Sequence, residues 1–375
     1  MKKVITILII FIVSSINLAG CSAKGGESEK NLVTVSLKLK WKHQFQFAGY
    51  YIAKEKGFYE EAGLNVIIED ASGQEEALQT VLDGNADIGI GSSDLVISFI
   101  EEKPIVVLGT LFQHSPLVLI ANQSSNIEKI HDIVGKRVML ESHSEELIAY
   151  FRDEGIRTEE LILYPHSFDV EPFIVNDVDA MSAYITDEPY LLSEQGIDII
   201  TFSPRMGGID FYADTLFTRQ KYARENPEII QAFLDASKQG WNYAFDHVDE
   251  TIVMILNDYS KRHSYDHLAY EAEMMNEYVL PDIVEIGYMN PGRWEHIAET
   301  YSSLGMVPED YSLEGFLFVH PDDRTSIPFN VIVVGVLITA AILVLIIFSH
   351  GFTKLFFLVR DKYPKIYKNL NTNYE

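Results

Sequence analysis

The sequence predicts an exported α/β protein of two lobes, followed by a C-terminal transmembrane helix. Short runs rich in β-branched residues alternate with helical stretches through most of the chain, which is typical of α/β sheets. The alternation occurs in two units and is followed by a return of helices, so we expect the chain to cross between two lobes. Long apolar segments near both ends point to the membrane.

The composition is that of a folded, acidic protein. Of 375 residues, 47% are hydrophobic and 22% are charged, as in globular domains. The formal net charge of −26 argues against a nucleic-acid partner, because a polyanion would be repelled.

Residues 1–20 predict a lipoprotein signal peptide. Lys2 and Lys3 precede an apolar run, and the segment closes on LAGC, which resembles a bacterial lipobox ending at Cys21. Cys21 is the only cysteine, so no internal disulfide can form, and we expect it to be lipidated. A free cysteine near a secretory cleavage site is the alternative. Residues 21–32 are small and polar and predict a flexible linker.

The first α/β unit runs from residue 33 to 118, and its strands are expected to be mostly parallel. Its predicted elements, in order, are the strand VTVSLKLKW, the helix GYYIAKEKGFYEEAG ended by Gly63, the strand LNVIIEDA, the helix GQEEALQTVLDG, the strand NADIGIG, the helix SDLVISFIEEK, and the buried strands IVVLGTLFQ and PLVLIAN. We assign residues 33–118 and 205–320 to lobe 1 of a solute-binding domain, and residues 119–204 to lobe 2.

The second unit repeats this order. DIVGKRVMLES predicts a turn and strand, HSEELIAYFRDEG a helix, LILYPHS a strand, VNDVDAMSAYITDEPYLLSEQG a strand and helix, and DIITFSP a last strand. Beyond Gly208 the chain becomes mostly helical, with PEIIQAFLDASKQGWNYAFDH and DETIVMILNDYS as its first long helices.

Residues 327–348 predict a transmembrane helix, because residues 331–348 carry no charge and a buried core helix is rarely apolar on every face for five turns. The tail at 349–375 holds five basic residues against two acidic ones. The positive-inside bias places that tail in the cytoplasm and the acidic domain outside the membrane, facing the periplasm or the cell exterior.

Three stretches resemble a known family: LKLKWKHQFQFAGYYIAKEKGFYEEAGLNVIIEDASG, GNADIGIGSSDL and DAMSAYITDEPYLL. They are similar to the thiamine-pyrimidine-precursor branch of type II periplasmic solute-binding proteins, which have two lobes. PRMGGIDFYADTLFT and IGYMNPGRWEHIAETYSSLG further resemble versions of this module that serve as sensor ectodomains. The resemblance implies a periplasmic-binding-protein type II fold over residues 33 to 305.

Ligands of such sheets bind beyond the carboxyl ends of the strands, here in the loops after Trp41, Gly91, Gln113, Glu141 and Tyr184. Trp41 matches the family's ligand-stacking tryptophan, and the alternative is that it only packs between the lobes. Phe47 stands where many relatives have histidine. The full predicted ligand-binding set is Trp41, Gln44, Phe47, Tyr50, Ser92, Ser93, Asp94, Glu188, Asp210 and Tyr212.

Two of these groups have a chemical rationale. The turn of Ser92, Ser93 and Asp94 presents free N–H groups at a helix start, although a plain N-cap explains one of the three residues. Glu188 can accept hydrogen bonds from an exocyclic amine, and a helix cap is its alternative role. An acidic cleft favours a cationic or amine-rich ligand over a sulfonate.

The sequence predicts neither a metal nor a cofactor. Its histidines show no metal-binding spacing; His263 and His267 are four residues apart but have no carboxylate partner in the sequence pattern. The resemblance extends to thiamine-pyrimidine synthases, whose cofactor lysine and histidine align with Gly91 and Leu95 here. Because neither supplies those groups, no enzyme activity is expected.

The leading hypothesis is a membrane-anchored solute-binding protein that captures a small heteroaromatic ligand, plausibly a thiamine pyrimidine precursor, for an ABC-type importer. The alternative is a sensor whose lobe closure is transmitted through the transmembrane helix to a signalling partner. The helix favours sensing, whereas the absence of an output domain in the 27 residues after Phe348 and the lipobox favour transport. A synthase is the third and weakest hypothesis.

Overall fold

The computed structural model describes residues 31–71, 76–167, 169–322 and 329–362. The predicted signal peptide, the lipidation site at Cys21 and the end of the basic tail lie outside these residues. The chain divides into two compact units, Met1–Phe318 and Val319–Glu375.

The first unit contains two five-stranded sheets. The sheet of lobe 1 consists of β1 Val33–Lys38, β2 Leu64–Glu69, β3 Ile88–Gly91, β4 Ile105–Phe112 and β10 Ala213–Arg219, in the order β2-β1-β3-β10-β4. The sheet of lobe 2 consists of β5 Leu117–Asn122, β6 Arg137–Leu140, β7 Ile162–Pro165, β8 Ala180–Tyr184 and β9 Ile199–Phe202, in the order β7-β6-β8-β5-β9.

The two sheets share one topology. In lobe 1, β10 pairs antiparallel with both β3 and β4, while β1 pairs parallel with β2 and β3. In lobe 2, β5 pairs antiparallel with both β8 and β9, while β6 pairs parallel with β7 and β8. In each sheet the antiparallel strand is the one on which the chain arrives from the other lobe: β5 in lobe 2, and β10 where the chain returns to lobe 1. Four of the five strands in each sheet therefore run in one direction, and their carboxyl ends share one edge.

Helices cover the sheets. The α-helices of this unit are Ala48–Glu55, Phe58–Glu61, Ala77–Leu82, Leu95–Ile100, Glu145–Asp153, Glu171–Ile174, Glu188–Glu194, Gln220–Glu225, Pro227–Asp246, Val248–Met254, Tyr265–Val279 and Pro291–Ser303. A π-helical turn spans Ile255–Tyr259, and short 3-10 helices lie at Phe45–Phe47, Gln123–Ser125, Ile130–Ile133, Thr158–Glu160 and Arg205–Gly207. The single helix predicted over GYYIAKEKGFYEEAG is two helices, because Gly57 adopts φ +79° between them.

A close helix contact fixes the position of the helix that follows the first strand. Ala48–Glu55 packs against Pro227–Asp246 through two glycines. A Cβ on Gly240 would lie 2.0 Å from the carbonyl oxygen of Gly49, and a Cβ on Gly49 would lie 2.2 Å from the ring of Trp241. Only glycines allow this approach, which turns one face of Ala48–Glu55 into the core of lobe 1.

Two segments connect the lobes, one after β4 and one before β10, and they contact each other. The backbone N–H of Ser115 donates to the carbonyl oxygen of Phe211 over 2.9 Å. Beside this bond, Nδ1 of His114 lies 2.8 Å from Oδ1 of Asp210. These pairings make the connection a two-stranded hinge.

The second unit contains one long helix, Phe329–Lys362, of 34 residues. At 1.5 Å per residue it is about 50 Å long, which exceeds the roughly 30 Å of a bilayer's hydrocarbon core. The described apolar side chains of this helix are exposed, among them Leu337 and Phe348. Length and composition make it a candidate membrane span.

Candidate functional site

The strand ends of the two lobes face each other across a cleft. Its walls are the residues that follow β1 and β3 in lobe 1 and β6, β7 and β8 in lobe 2, as expected for α/β sheets. A narrow inner recess is lined by Lys40, Trp41, Gln44, Gln46, Glu141, His166, Ser182, Ala183, Tyr184, Asp187 and Glu188. Lys40, Trp41, Glu141 and His166 also line an adjoining, wider recess that reaches Ser92 and Asp94.

Lys40 provides the positive charge of the cleft, and its ammonium group is fully engaged. Its Nζ donates to Oγ of Ser92 over 2.7 Å and to the hydroxyl of Tyr184 over 2.6 Å. The carboxylate of Asp214 lies 3.7 Å away. Two hydrogen bonds and this ion pair engage the ammonium group, so Lys40 joins the lobes rather than offering an open anion site.

Asp214 supports this network from the start of β10. Its carboxylate accepts from Nε2 of Gln46 over 2.6 Å and from the hydroxyl of Tyr184 over 3.3 Å. Its backbone has φ +48°, a conformation that is rare for residues other than glycine. Such strain concentrates where a side chain is held for function. Burial raises the pKa of Asp214, and Lys40 opposes that rise.

Two glutamates, Glu141 and Glu188, line the inner recess. Glu141 follows β6, and its Oε1 is buried without a hydrogen-bond partner among the described residues. Glu188 begins the helix Glu188–Glu194, and its Oε2 accepts from the backbone N–H of Tyr184 over 2.8 Å. Burial raises the pKa of Glu141, and burial together with the charge of Asp187 raises that of Glu188 well above its usual value. In both cases loss of hydration disfavours the charged form of the carboxyl group.

A buried ion pair closes the outer part of the cleft. Nδ1 of His143 in lobe 2 lies 2.7 Å from Oδ2 of Asp94 in lobe 1. Burial opposes the charge on His143, but Asp94 outweighs it and raises the pKa of His143 to about 9. Burial likewise opposes the charge on Asp94, yet His143 and Lys40 hold its pKa below the usual value. Nearby, burial and Asp94 raise the pKa of Glu145 to about 7.

An aromatic wall borders both recesses. Trp41 is only 8% exposed, and its ring meets that of His166 edge to face at 5.5 Å. Burial lowers the pKa of His166 to about 4, so this imidazole is neutral. A flat apolar surface beside neutral hydrogen-bonding groups suits a heteroaromatic ring.

A further glutamate, Glu271, holds the loop that follows Trp41. Glu271 in the helix Tyr265–Val279 accepts from the backbone N–H of Phe45 over 2.9 Å and from that of Gln46 over 3.0 Å. Nε2 of Gln44 then donates to Oε1 of Gln46 over 2.9 Å, and Arg262 donates to Oε1 of Gln44. These bonds orient the amide side chains that line the inner recess.

The structure brings five of the predicted site residues to the cleft. Trp41, Gln44 and Glu188 line the inner recess, and Ser92 and Asp94 line the outer one. The side chains of Ser92 and Asp94 are engaged with Lys40 and His143, respectively.

It does not bring the other five there. Phe47 is fully buried in the core of lobe 1, and Tyr50 packs against Trp241 at 5.6 Å, on the face that the glycine contact turns inward. Ser93 lies on the far side of its turn, with its hydroxyl 2.9 Å from that of Tyr301.

Asp210 and Tyr212 lie near the hinge. Asp210 pairs with His114 and lies 3.2 Å from the guanidinium of Arg293. The hydroxyl of Tyr212 accepts from the backbone N–H of Asn290 over 3.0 Å, and its ring packs against Trp294. Both residues lie close in sequence to the segment that connects the lobes. Their side chains contact the residues named above and not the cleft.

Several cleft residues were not predicted from the sequence: Lys40, Gln46, Glu141, His143, His166, Tyr184, Asp187 and Asp214. A signal for some was present, because Glu141 and Tyr184 stand at the strand ends expected to border the cleft. Lys40 lies in the predicted strand VTVSLKLKW, where apolar and basic residues alternate. Its burial follows from Tyr184, 144 residues away.

Comparisons with known proteins show what this chain is similar to. Residues 44–251 match the model of the family described as "NMT1/THI5 like". A formylaminopyrimidine-binding protein of Halalkalibacterium halodurans is 25% identical over 251 residues, 64% of this chain and 75% of its own. The riboflavin-binding protein RibY of Chloroflexus aurantiacus is 20% identical over 304 residues, 77% of this chain and 86% of its own.

Among solved structures, the alkanesulfonate-binding protein SsuA of Xanthomonas axonopodis pv. citri, bound to MOPS, superposes with a TM-score of 0.58 at 11% identity. The match covers 76% of this chain and 98% of that one. At this identity the likeness concerns the fold alone, and it confirms the two-lobed periplasmic-binding-protein architecture inferred from the sequence.

Proposed function

Because the chain belongs to the NMT1/THI5-like family, we propose that it is a membrane-anchored, extracytoplasmic solute-binding protein that captures a small heteroaromatic ligand for an ABC-type importer. The lobes close over the ligand at the hinge, and no covalent chemistry takes place. An aminopyrimidine related to thiamine precursors is the favoured ligand.

The observation that carries this proposal is the free Oε1 of Glu141 beside Trp41 in the inner recess. A protonated carboxyl group pairs at two points with an aminopyrimidine edge: its O–H donates to a ring nitrogen, and its carbonyl oxygen accepts from the exocyclic amine. Such a pairing satisfies the buried oxygen while Trp41 offers an apolar ring face. Sulfonates fit less well, because Lys40 already has its acceptors.

Attachment to the membrane rests on two parts of the chain. The helix Phe329–Lys362 has the length and composition of a span. Cys21 supplies a second, lipid anchor in this proposal. The importer is the proposed partner because a relative of this chain is a formylaminopyrimidine-binding protein, which points to solute capture.

Calorimetric titration of the full-length chain in detergent tests the ligand. We expect saturable binding of formylaminopyrimidine, weaker or no binding of riboflavin, and no binding of MOPS. Trp41→Ala and Glu141→Met are each expected to lower the affinity at least tenfold, because Trp41→Ala removes stacking area and Glu141→Met removes both the donor and the acceptor of the two-point pairing.

Tyr50→Phe is the matched control, since Tyr50 packs in the core of lobe 1 outside both recesses. Circular dichroism of each variant checks that it is folded. The ligand assignment is wrong if formylaminopyrimidine does not bind, or if Tyr50→Phe weakens binding as much as Trp41→Ala does.

A ligand sensor remains the second candidate, favoured by a helix that continues 14 residues past Phe348 and so reaches beyond the predicted span. Affinity purification of the full chain from its own membrane separates the two functions. Recovery of a permease and an ATPase supports transport, and recovery of a kinase or another signalling protein instead supports sensing.

A further inference from the structure

A second cluster lies at the inner end of the cleft, where the two lobes meet. Asp187 comes from the loop after β8 in lobe 2. His263 precedes the helix Tyr265–Val279 of lobe 1, and His267 lies in its first turn. All three are buried, with 2%, 7% and 1% of their surface exposed, respectively.

The three side chains converge on one point. Oδ1 of Asp187 lies 2.9 Å from Nε2 of His267 and 3.5 Å from Nε2 of His263. The ring centroids of the two histidines are 3.8 Å apart. In a tetrahedral site with metal–ligand bonds of about 2.1 Å, neighbouring ligand atoms are about 3.4 Å apart. The two measured separations lie on either side of that value.

The hydrogen bonding of the cluster is incomplete. Oδ1 of Asp187 and all four ring nitrogens of His263 and His267 are buried without a hydrogen bond of acceptable geometry within the described chain. The 2.9 Å approach of His267 to Asp187 is short but is not directed as a hydrogen bond. Leaving five such atoms unsatisfied is costly, and one cation at the shared point would satisfy three of them.

From this geometry we propose that Asp187, His263 and His267 bind one divalent transition-metal cation of the zinc class. Two imidazole nitrogens and one carboxylate oxygen are a ligand set that such ions prefer, whereas Mg²⁺ and Ca²⁺ prefer oxygen. The second oxygen of Asp187 lies 3.4 Å from the guanidinium of Arg262, which leaves Oδ1 as the single carboxylate ligand.

The ion would join the lobes. Its carboxylate belongs to lobe 2 and its imidazoles belong to lobe 1, and the same contact includes a hydrogen bond from the hydroxyl of Tyr270 to the carbonyl oxygen of Ile185. Asp187 immediately precedes Glu188, which lines the inner recess. Metal binding therefore orders the loop that carries a wall of the ligand site and favours closure.

The test uses the full-length chain in detergent, stripped with a chelator and titrated with Zn²⁺ in competition with a chromophoric chelator. We expect one tightly bound equivalent and a rise in melting temperature. In His263→Gln and His267→Gln the affinity should fall by more than the roughly 10–100-fold that loss of an outer-shell partner costs. Bound Co²⁺ should give the visible absorption of a tetrahedral site without a thiolate band.

His131→Gln is the control, because the ring of His131 is exposed and lies outside both recesses. Loss of the Zn²⁺ equivalent in His267→Gln and its retention in His131→Gln support the proposal. It is overturned if the wild-type chain binds no Zn²⁺ equivalent, or if binding survives the His263→Gln/His267→Gln double substitution. If a variant fails to fold, the Co²⁺ spectrum of the wild-type chain still tests the proposal. A spectrum typical of octahedral Co²⁺ overturns it.

Discussion

The ion pair between His143 and Asp94 predicts how stability depends on pH. The pair joins the lobes across the cleft over 2.7 Å, and the side chain of His143 is 29% exposed. Replacing His143 by glutamine keeps a hydrogen-bonding side chain but removes the charge. The variant therefore isolates the electrostatic part of the contact.

The size of the charge contribution to stability follows from the pKa of His143. In the folded chain the pKa of His143 is raised from 6.5 to about 9, chiefly by Asp94 acting against burial. A raised pKa contributes stability that is complete below the unfolded value of 6.5 and is lost as the pH rises through about 9. At 1.36 kcal/mol per pKa unit the full contribution is roughly 3 kcal/mol, and at pH 7.5 it is about 2 kcal/mol.

Urea unfolding of the full-length chain in detergent, followed by tryptophan fluorescence, measures this difference. We expect His143→Gln to lower the free energy of unfolding by about 2 kcal/mol at pH 7.5 and by less than about 0.5 kcal/mol above pH 9.5. Comparison with wild type at each pH cancels the titration of the groups that do not interact with His143. His131→Gln, which removes an exposed ring, is the control. A difference that stays constant or grows between pH 6.5 and 10 would refute the reasoning.

Two further predictions concern packing and the absence of chemistry. Gly240→Ala should lower the free energy of unfolding by roughly 1–3 kcal/mol or more, because its Cβ would lie 2.0 Å from the carbonyl oxygen of Gly49. Gly292→Ala, whose Cβ would meet nothing closer than 3.4 Å, should cost much less in the same denaturation assay, and equal losses would contradict the packing argument. Incubation with pyridoxal phosphate should give no imine absorbance, because the ammonium of Lys40, the amine beside the Ser92 turn, is already held by two hydrogen bonds and an ion pair. An imine trapped at Lys40 by borohydride would reopen the synthase hypothesis.

Much of the architecture could be predicted because local sequence patterns determine the strands and helices. β-branched runs give the strands, and the glycines after helices mark where they end, as at Gly63 and Gly84. The alternation of strands and helices also determines that polar residues following strands meet at one edge. Trp41, Ser92 and Asp94 could be placed near a cleft for that reason.

Within the aromatic stretch from Trp41 to Tyr51, the pattern could not tell core from cleft. Phe47 and Tyr50 are as aromatic as Trp41, but their direction depends on Pro227–Asp246, which packs on the next helix through Gly49 and Gly240. That contact joins residues about 190 positions apart in the sequence. It turns Tyr50 toward Trp241 and leaves Trp41 at the cleft.

The sequence by itself determined in outline the succession of strands and helices along each α/β unit, the acidic character of the domain and the apolar helix that follows it. Only the tertiary structure decided the chemistry of the site, because that chemistry depends on burial and on partners from both lobes. Glu141 has a raised pKa chiefly because burial removes water from around it. His263 and His267 acquire a carboxylate only where lobe 2 brings Asp187 against them, 76 residues away along the chain from His263.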